Sequence, residues 1–150
     1  MTEQPRRSLL YEVWLLSTSI QMILDRLGAP LQISADETAV LATLRFNGGL
    51  SQKKISELTS LRRSTLSMML GRLEKSGLAS KAKNPADARS RIFSITEEGG
   101  RSLERLVEGI FRIEDAYAEQ SGIAALTSIE EVQRMRERIL RIGEEQVGKA

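Results

Sequence analysis

Cations and short hydroxyl side chains are concentrated between residues 48 and 96 of this 150-residue sequence, in two groups whose spacing suits the chemistry of a polyanion. The first group is Arg62, Arg63, Ser64, Thr65, Ser67, Met68, Gly71, Arg72 and Lys75. These are what remains of the run 62–76 once Leu66, Met69, Leu70 and Leu73, at i, i+3, i+4 and i+7, are assigned to a core. Arginine, serine and threonine hydrogen-bond base edges in the major groove of B-DNA, and a methionine can meet a thymine methyl group. Gly71 would let such a helix come close, at a cost of about 1 kcal/mol in helix propensity relative to alanine. A solvated helix face is the plainer reading of the same residues. The second group is the stretch "NPADARSR", Asn84 to Arg91. An arginine such as Arg89 on a projecting hairpin suits the narrow minor groove, where negative potential is focused. Lys81, Lys83 and Arg91 would then face phosphates. Phosphates repel Asp87, but its carboxylate can accept hydrogen bonds from the loop backbone or an arginine and hold the tip in shape. A solubilising turn is the alternative.

Charge is segregated to match. Residues 1–47 carry 4 basic and 5 acidic side chains, residues 48–96 carry 10 and 3, and residues 97–150 carry 8 and 12, so a +7 segment lies between two acidic ends within a net charge of only +2. Such segregation suits a local surface for a polyanion. The absence of cysteine excludes disulfides and thiol chemistry, and the absence of histidine excludes a histidine base and the usual zinc sites. Asp and Glu are spread over helix surfaces, and "GGLSQKK" (Gly48 to Lys54) lacks the spacing of a phosphate loop. We therefore expect neither an enzyme nor a resident cofactor or metal.

Helical periodicity organises the elements that must hold these groups. Leu9, Val13, Leu16, Ile20, Ile23 and Leu27 form one seam, with Leu10, Tyr11, Trp14, Leu15, Met22 and Leu24 beside it, ended by Gly28 and Pro30. The basic Arg6-Arg7 start imitates a signal peptide, but Glu12, Ser17, Thr18, Ser19, Gln21, Asp25 and Arg26 interrupt the run, so neither a leader nor a membrane span is expected and a cytoplasmic protein is. "SADE" (Ser34 to Glu37) is a capping box opening a second helix to about Phe46, where Asn47-Gly48-Gly49 stops it. Ser51 caps a short third helix broken by Thr59-Ser60, and a fourth runs from about Arg62 to Ser76 before Gly77. "LASKAK" and "IFSIT" alternate like strands around a loop. Thr96 caps a fifth helix with Leu103, Leu106, Ile110, Ile113 and Tyr117 on one face, and Thr127-Ser128-Ile129-Glu130 is a capping box for a sixth. This order predicts a mainly α fold with a small β-hairpin wing, a winged helix-turn-helix with outer helices whose apolar faces meet their copies in a homodimer.

The run "DARSRIFSITEEG" (Asp87 to Gly99), preceded by "SQKKISELTSLRRSTLSMMLGRLEKSGLASK" (Ser51 to Lys81), resembles the MarR family of bacterial winged-helix transcription regulators. The family pattern has D-x-R-S in the wing, L-T-x-x-G entering the next helix, with Ile95 here for the leucine, and R-L-E-x-x-G-L ending the recognition helix. The resemblance covers about residues 34–100. It implies one MarR-like domain over 1–150, with dimerisation helices at 6–33 and 97–150 and a DNA-binding lobe at 34–96. It further implies a homodimer on a pseudo-palindromic double-stranded operator, repressing transcription. By position, Ser64, Thr65 and Ser67 fall in the base-reading part, with Asp87 and Arg89 on the wing's structural aspartate and minor-groove arginine. Arg62 departs from the capping residue often found there, leaving Ser60 as a substitute cap, and Met68 replaces a position often polar or basic. Many members release DNA on binding a small, often aromatic, anionic effector. Tyr11, Trp14, Phe46 and Phe111 could line such a pocket, or simply pack in a core or dimer interface. The family's cysteine-oxidation branch is excluded by composition. From a different class, a basic winged-helix face could instead meet an acidic partner protein.

Overall fold

The computed structural model describes residues 8–122 and 125–147, the side chains of 125–128 excepted. Its first helix, α1 (Leu9–Gly28), is capped by Ser8, whose hydroxyl accepts from the Tyr11 amide at 3.4 Å. Glycine is required at its last position, Gly28, where a Cβ would collide with the Ile33 carbonyl oxygen of the returning chain. A 3-10 turn (Ala29–Leu31) containing Pro30 then leads to α2 (Ala35–Asn47). The expected capping box is present: the Glu37 amide donates to Ser34 Oγ at 3.2 Å and the Ser34 amide to Glu37 Oε2 at 2.9 Å. Asp25 accepts from the Ala35 amide at 2.7 Å, tying the end of α1 to the start of α2.

Two helices follow, α3 (Gln52–Thr59) and α4 (Arg63–Lys75). Ser60 takes the left-handed conformation (φ 60°) and ends α3, so it does not cap α4. Arg62 occupies that N-cap position without a side-chain bond, and the turn is held instead by Ser56 Oγ donating to the Leu61 carbonyl at 2.7 Å. Gln52 Nε2 donates to the Arg63 carbonyl at 3.0 Å, joining the first turns of the two helices.

The sheet has three antiparallel strands, β1 (Leu50–Ser51), β2 (Ala79–Asn84) and β3 (Asp87–Ile95), in the order β1-β3-β2. The sequence reading anticipated only the hairpin. β1 is two residues long, too short to carry a period, and exists because Leu50 and Ser51 pair with Phe93 and Ile92.

After the sheet come α5 (Glu97–Ser121) and α6 (Ala125–Val147). Thr96 fastens the start of α5. Its hydroxyl donates to the Gly77 carbonyl at 2.6 Å and accepts from the Gly99 amide at 3.0 Å, while its own amide donates to the Leu78 carbonyl at 3.1 Å. Arg101 pairs with Glu97 at 2.6 Å and Glu98 at 2.7 Å, and its hydrogen bond holds the Glu98 carboxyl below the ordinary carboxylate range. Gly99 is required where it stands, since a Cβ would collide with the Leu78 carbonyl and press on Ile95. Gly99→Ala should therefore destabilise the fold by about 1–3 kcal/mol, the scale of overpacking. The check is a thermal melt, with Tm lower by roughly 2–4 °C per kcal/mol; an unchanged Tm would contradict this packing. The expected capping box of α6 at Thr127–Glu130 involves side chains outside the described residues, and the helix itself begins at Ala125.

Core residues come from every element around the helix-turn-helix: Val40, Leu41 and Leu44 of α2, Ile55 of α3, Leu66, Leu70 and Leu73 of α4, Phe93 of β3, and Leu103 and Leu106 of α5. The stripe assigned to the core of α4 is thus buried, with Met69 half-buried at its margin. The chain divides into two compact units between Glu108 and Gly109, so the first turns of α5 fall in the same unit as the helix-turn-helix. The seam of α1 follows a different course. Leu9, Val13, Leu16, Ile20 and Ile23 stand exposed, and only Leu27 packs on the core. No helix among the described residues is long and apolar enough to cross a membrane.

Candidate nucleic-acid interface

With Leu66, Leu70 and Leu73 turned inward, the helical period leaves Arg63, Ser64, Ser67, Met68, Gly71, Arg72 and Lys75 of α4 exposed, along with Arg62 at its start; Thr65 is half-buried. Met68 is 69% exposed, an apolar side chain held in water on an otherwise polar face. At Gly71 an added Cβ would meet nothing within 4 Å. No packing among the described residues therefore accounts for this helix-weakening glycine, and the space it leaves is on the outside.

The hairpin is tighter than the sequence reading expected. Its turn is only Pro85-Ala86, and Asp87 to Arg91, read as loop, belong to β3. Side chains do the work that glycine does in other two-residue turns. Asn84 Oδ1 accepts from the Ala86 amide at 3.0 Å and its Nδ2 donates to Ser90 Oγ at 2.7 Å. Ser90 Oγ donates to the Asp87 carbonyl at 3.2 Å, and Asp87 Oδ1 accepts from the Arg89 amide at 3.0 Å. Asp87 thus fixes the backbone from which the exposed Arg89 side chain projects. A register shift at Lys83/Asn84 accommodates the turn, and just below it Lys83 lies directly opposite Arg91. Like charges facing each other across strands are destabilising, and a phosphate between them would relieve the repulsion.

Ion pairing sorts the cations of the basic segment. Arg72 lies 3.4 Å from Glu37, Lys81 2.9 Å from Glu74, and Lys54 3.4 Å from Glu57. Lys53, Arg62, Arg63, Lys75, Lys83, Arg89 and Arg91 have no such partner among the described residues. Three of them meet in one place: a cleft of about 440 Å³ is lined by Lys53 of α3 and by Arg89 and Arg91 of the wing, together with Asp87 and Phe93. Gln52 lines the same cleft and bonds the first turn of α4, so the starts of α3 and α4 adjoin the wing. Lys53 was missed as a site residue because only the pairing of β1 with β3 brings the start of α3 to the hairpin. The residues considered for an effector pocket are dispersed differently. Tyr11 and Trp14 stack with ring centroids 6.3 Å apart, and like Phe46 and Phe111 they are exposed and line none of the three clefts described for the chain.

Comparison with known proteins matches this geometry. The sequence profile of the MarR family fits residues 33–90. The HTH-type transcriptional regulator PecS of Dickeya dadantii is 34% identical over 95 residues, covering 61% of this chain and 57% of PecS. The HTH-type transcriptional repressor MdtR of Bacillus subtilis is 33% identical over 70 residues, 47% of this chain and 45% of MdtR. The chain spans about half the length of the curated relatives it matches. Among solved structures, the transcriptional repressor CouR bound to a 23-mer DNA duplex superposes with a TM-score of 0.73 at 25% identity, over 89% of this chain and 92% of CouR.

Proposed function

We propose that this chain, which belongs to the MarR family, is a sequence-specific DNA-binding transcription regulator, a repressor that acts as a homodimer on a pseudo-palindromic operator. The observation that carries this reading is the convergence of unpaired cations from α3 and the wing on one cleft beside the uncapped, arginine-flanked start of α4. In this arrangement Arg63, Ser64, Thr65, Ser67 and Met68 read base edges in the major groove and Arg89 enters the adjacent minor groove. Arg62, Arg72, Lys75, Lys83 and Arg91, with Lys53, hold phosphates, and Asp87 shapes the tip. Each copy supplies one half-site, joined through the exposed apolar seam of α1. An aromatic acid acting as effector would find its apolar surface on the stacked Tyr11 and Trp14 rings.

Arg89→Ala tests the reading. The side chain is exposed and without an ion partner among the described residues, so its loss should leave Tm unchanged. Binding to the DNA upstream of the protein's own gene should weaken by about 1–3 kcal/mol, the scale of a good groove contact, read by fluorescence anisotropy. Equal binding of wild type to that DNA and to random duplex would defeat the proposal. Capture from lysate with and without nuclease separates it from the acidic-protein alternative, in which the retained partner survives nuclease.

A further inference from the structure

We infer that Glu37 is a positioning residue for DNA reading, one that aims Arg72 from behind. The inference rests on the proposed reading of α4. Glu37 is buried to 2% exposure at the start of α2, and only one of its oxygens is used in the capping box, where Oε2 accepts from the Ser34 amide at 2.9 Å. A neutral glutamine closes a capping box equally well. The cap therefore does not explain a charged side chain in a place where an ionised carboxylate is costly to bury. What the charge serves is the other oxygen: Oε1 lies 3.4 Å from Arg72 Nε, while the Arg72 side chain remains 68% exposed.

The pairing has a direction. A guanidinium is a rigid planar fork with five N–H donors. Ion-paired with Glu37 on its Nε side, it keeps its outer Nη groups for another acceptor, and Arg72 stands on the exposed face of α4 between Met68 and Lys75. A free arginine must give up much rotamer freedom on binding a phosphate or base, whereas one already held loses less. The buried carboxylate thus converts a long flexible cation into an oriented one, and couples the cap of α2 to the reading helix.

The test is a double-mutant cycle on operator affinity, using the full chain with Glu37→Gln, Arg72→Ala and the pair. Glu37→Gln preserves the cap, so melting stays close to wild type, while operator affinity falls about 3- to 10-fold, the equivalent of about 0.7–1.4 kcal/mol at 1.4 kcal/mol per tenfold. Arg72→Ala lowers affinity at least as much, and adding Glu37→Gln to it changes operator affinity no further. A purely structural Glu37 would instead weaken binding equally in both backgrounds, which overturns the inference, as does an Arg72→Ala protein that binds like wild type. Arg72→Lys keeps the charge but lacks the fork. It should lose affinity like Glu37→Gln, and full affinity in this variant would also overturn the inference, even if Glu37→Gln failed to fold. Wild type without preference for its operator would overturn the DNA reading itself, and this inference with it; wild-type preference alongside additive single effects would remove only this one.

Discussion

Raising the salt concentration from 50 to 200 mM should weaken operator binding by about 10³-fold or more. Each phosphate neutralised by a lysine or arginine releases a condensed counterion, and six to ten such contacts correspond to losses of roughly 10³–10⁵ over that range. Seven cations of the basic segment are unpaired among the described residues, and in the proposed homodimer two copies would double that supply. Not all can reach a backbone at once, so six is a conservative figure for a dimer. Anisotropy titrations across a salt series would give a log–log slope near −5. A slope close to −1 would mean that the basic segment does not embrace a polyanion. Replacing both Lys83 and Arg91 by alanine in the same series should flatten the slope without lowering Tm, because their mutual repulsion contributes nothing favourable to the free fold.

The second large effect concerns the seam of α1. Leu16 and Ile20 lie one turn apart and are 61% and 46% exposed, so glutamates there cost the single chain little beyond a few tenths of a kcal/mol of like-charge repulsion. In a homodimer joined through this seam, the same two charges would be buried in apolar contact. Leu16→Glu with Ile20→Glu should give a folded monomer by light scattering. Its operator affinity should drop by about 10²–10⁴, because two linked half-sites gain that much from effective concentration. A double variant that still runs as a dimer, or a monomer that binds as tightly as wild type, would refute the role given to α1.

Much of the lobe was legible in the sequence, because the signals there are local. The stripe Leu66, Leu70 and Leu73, the capping box of Ser34 and Glu37, and Gly77 beyond α4 each depend on residues within one or two turns, and the structure places them as the periods imply. The motif around Thr96 and Gly99 was visible as a pattern, and its physical content emerged only with the Leu78 carbonyl packed against it. What could not be read depends on pairing between distant segments. Leu50–Ser51 becomes a strand only against β3, Lys53 joins the site only through that pairing, and Glu37 meets Arg72 across 35 positions of sequence. The start of α4 falls where the period implies, but Ser60 does not cap it, because Ser60 is already committed to ending α3. The apolar seam of α1 was plain as a period, yet a period does not say what covers it.

The knot at Thr96 has a mechanical corollary. Its hydroxyl and amide grip two successive carbonyls, those of Gly77 and Leu78, at the very point where α4 has ended and β2 is about to begin. Helix, hairpin and the root of α5 therefore share a single fulcrum. A force reaching the root of α5 would therefore be shared between the end of α4 and the start of β2. In the proposed dimer, control would then act on how far apart two such hands are held.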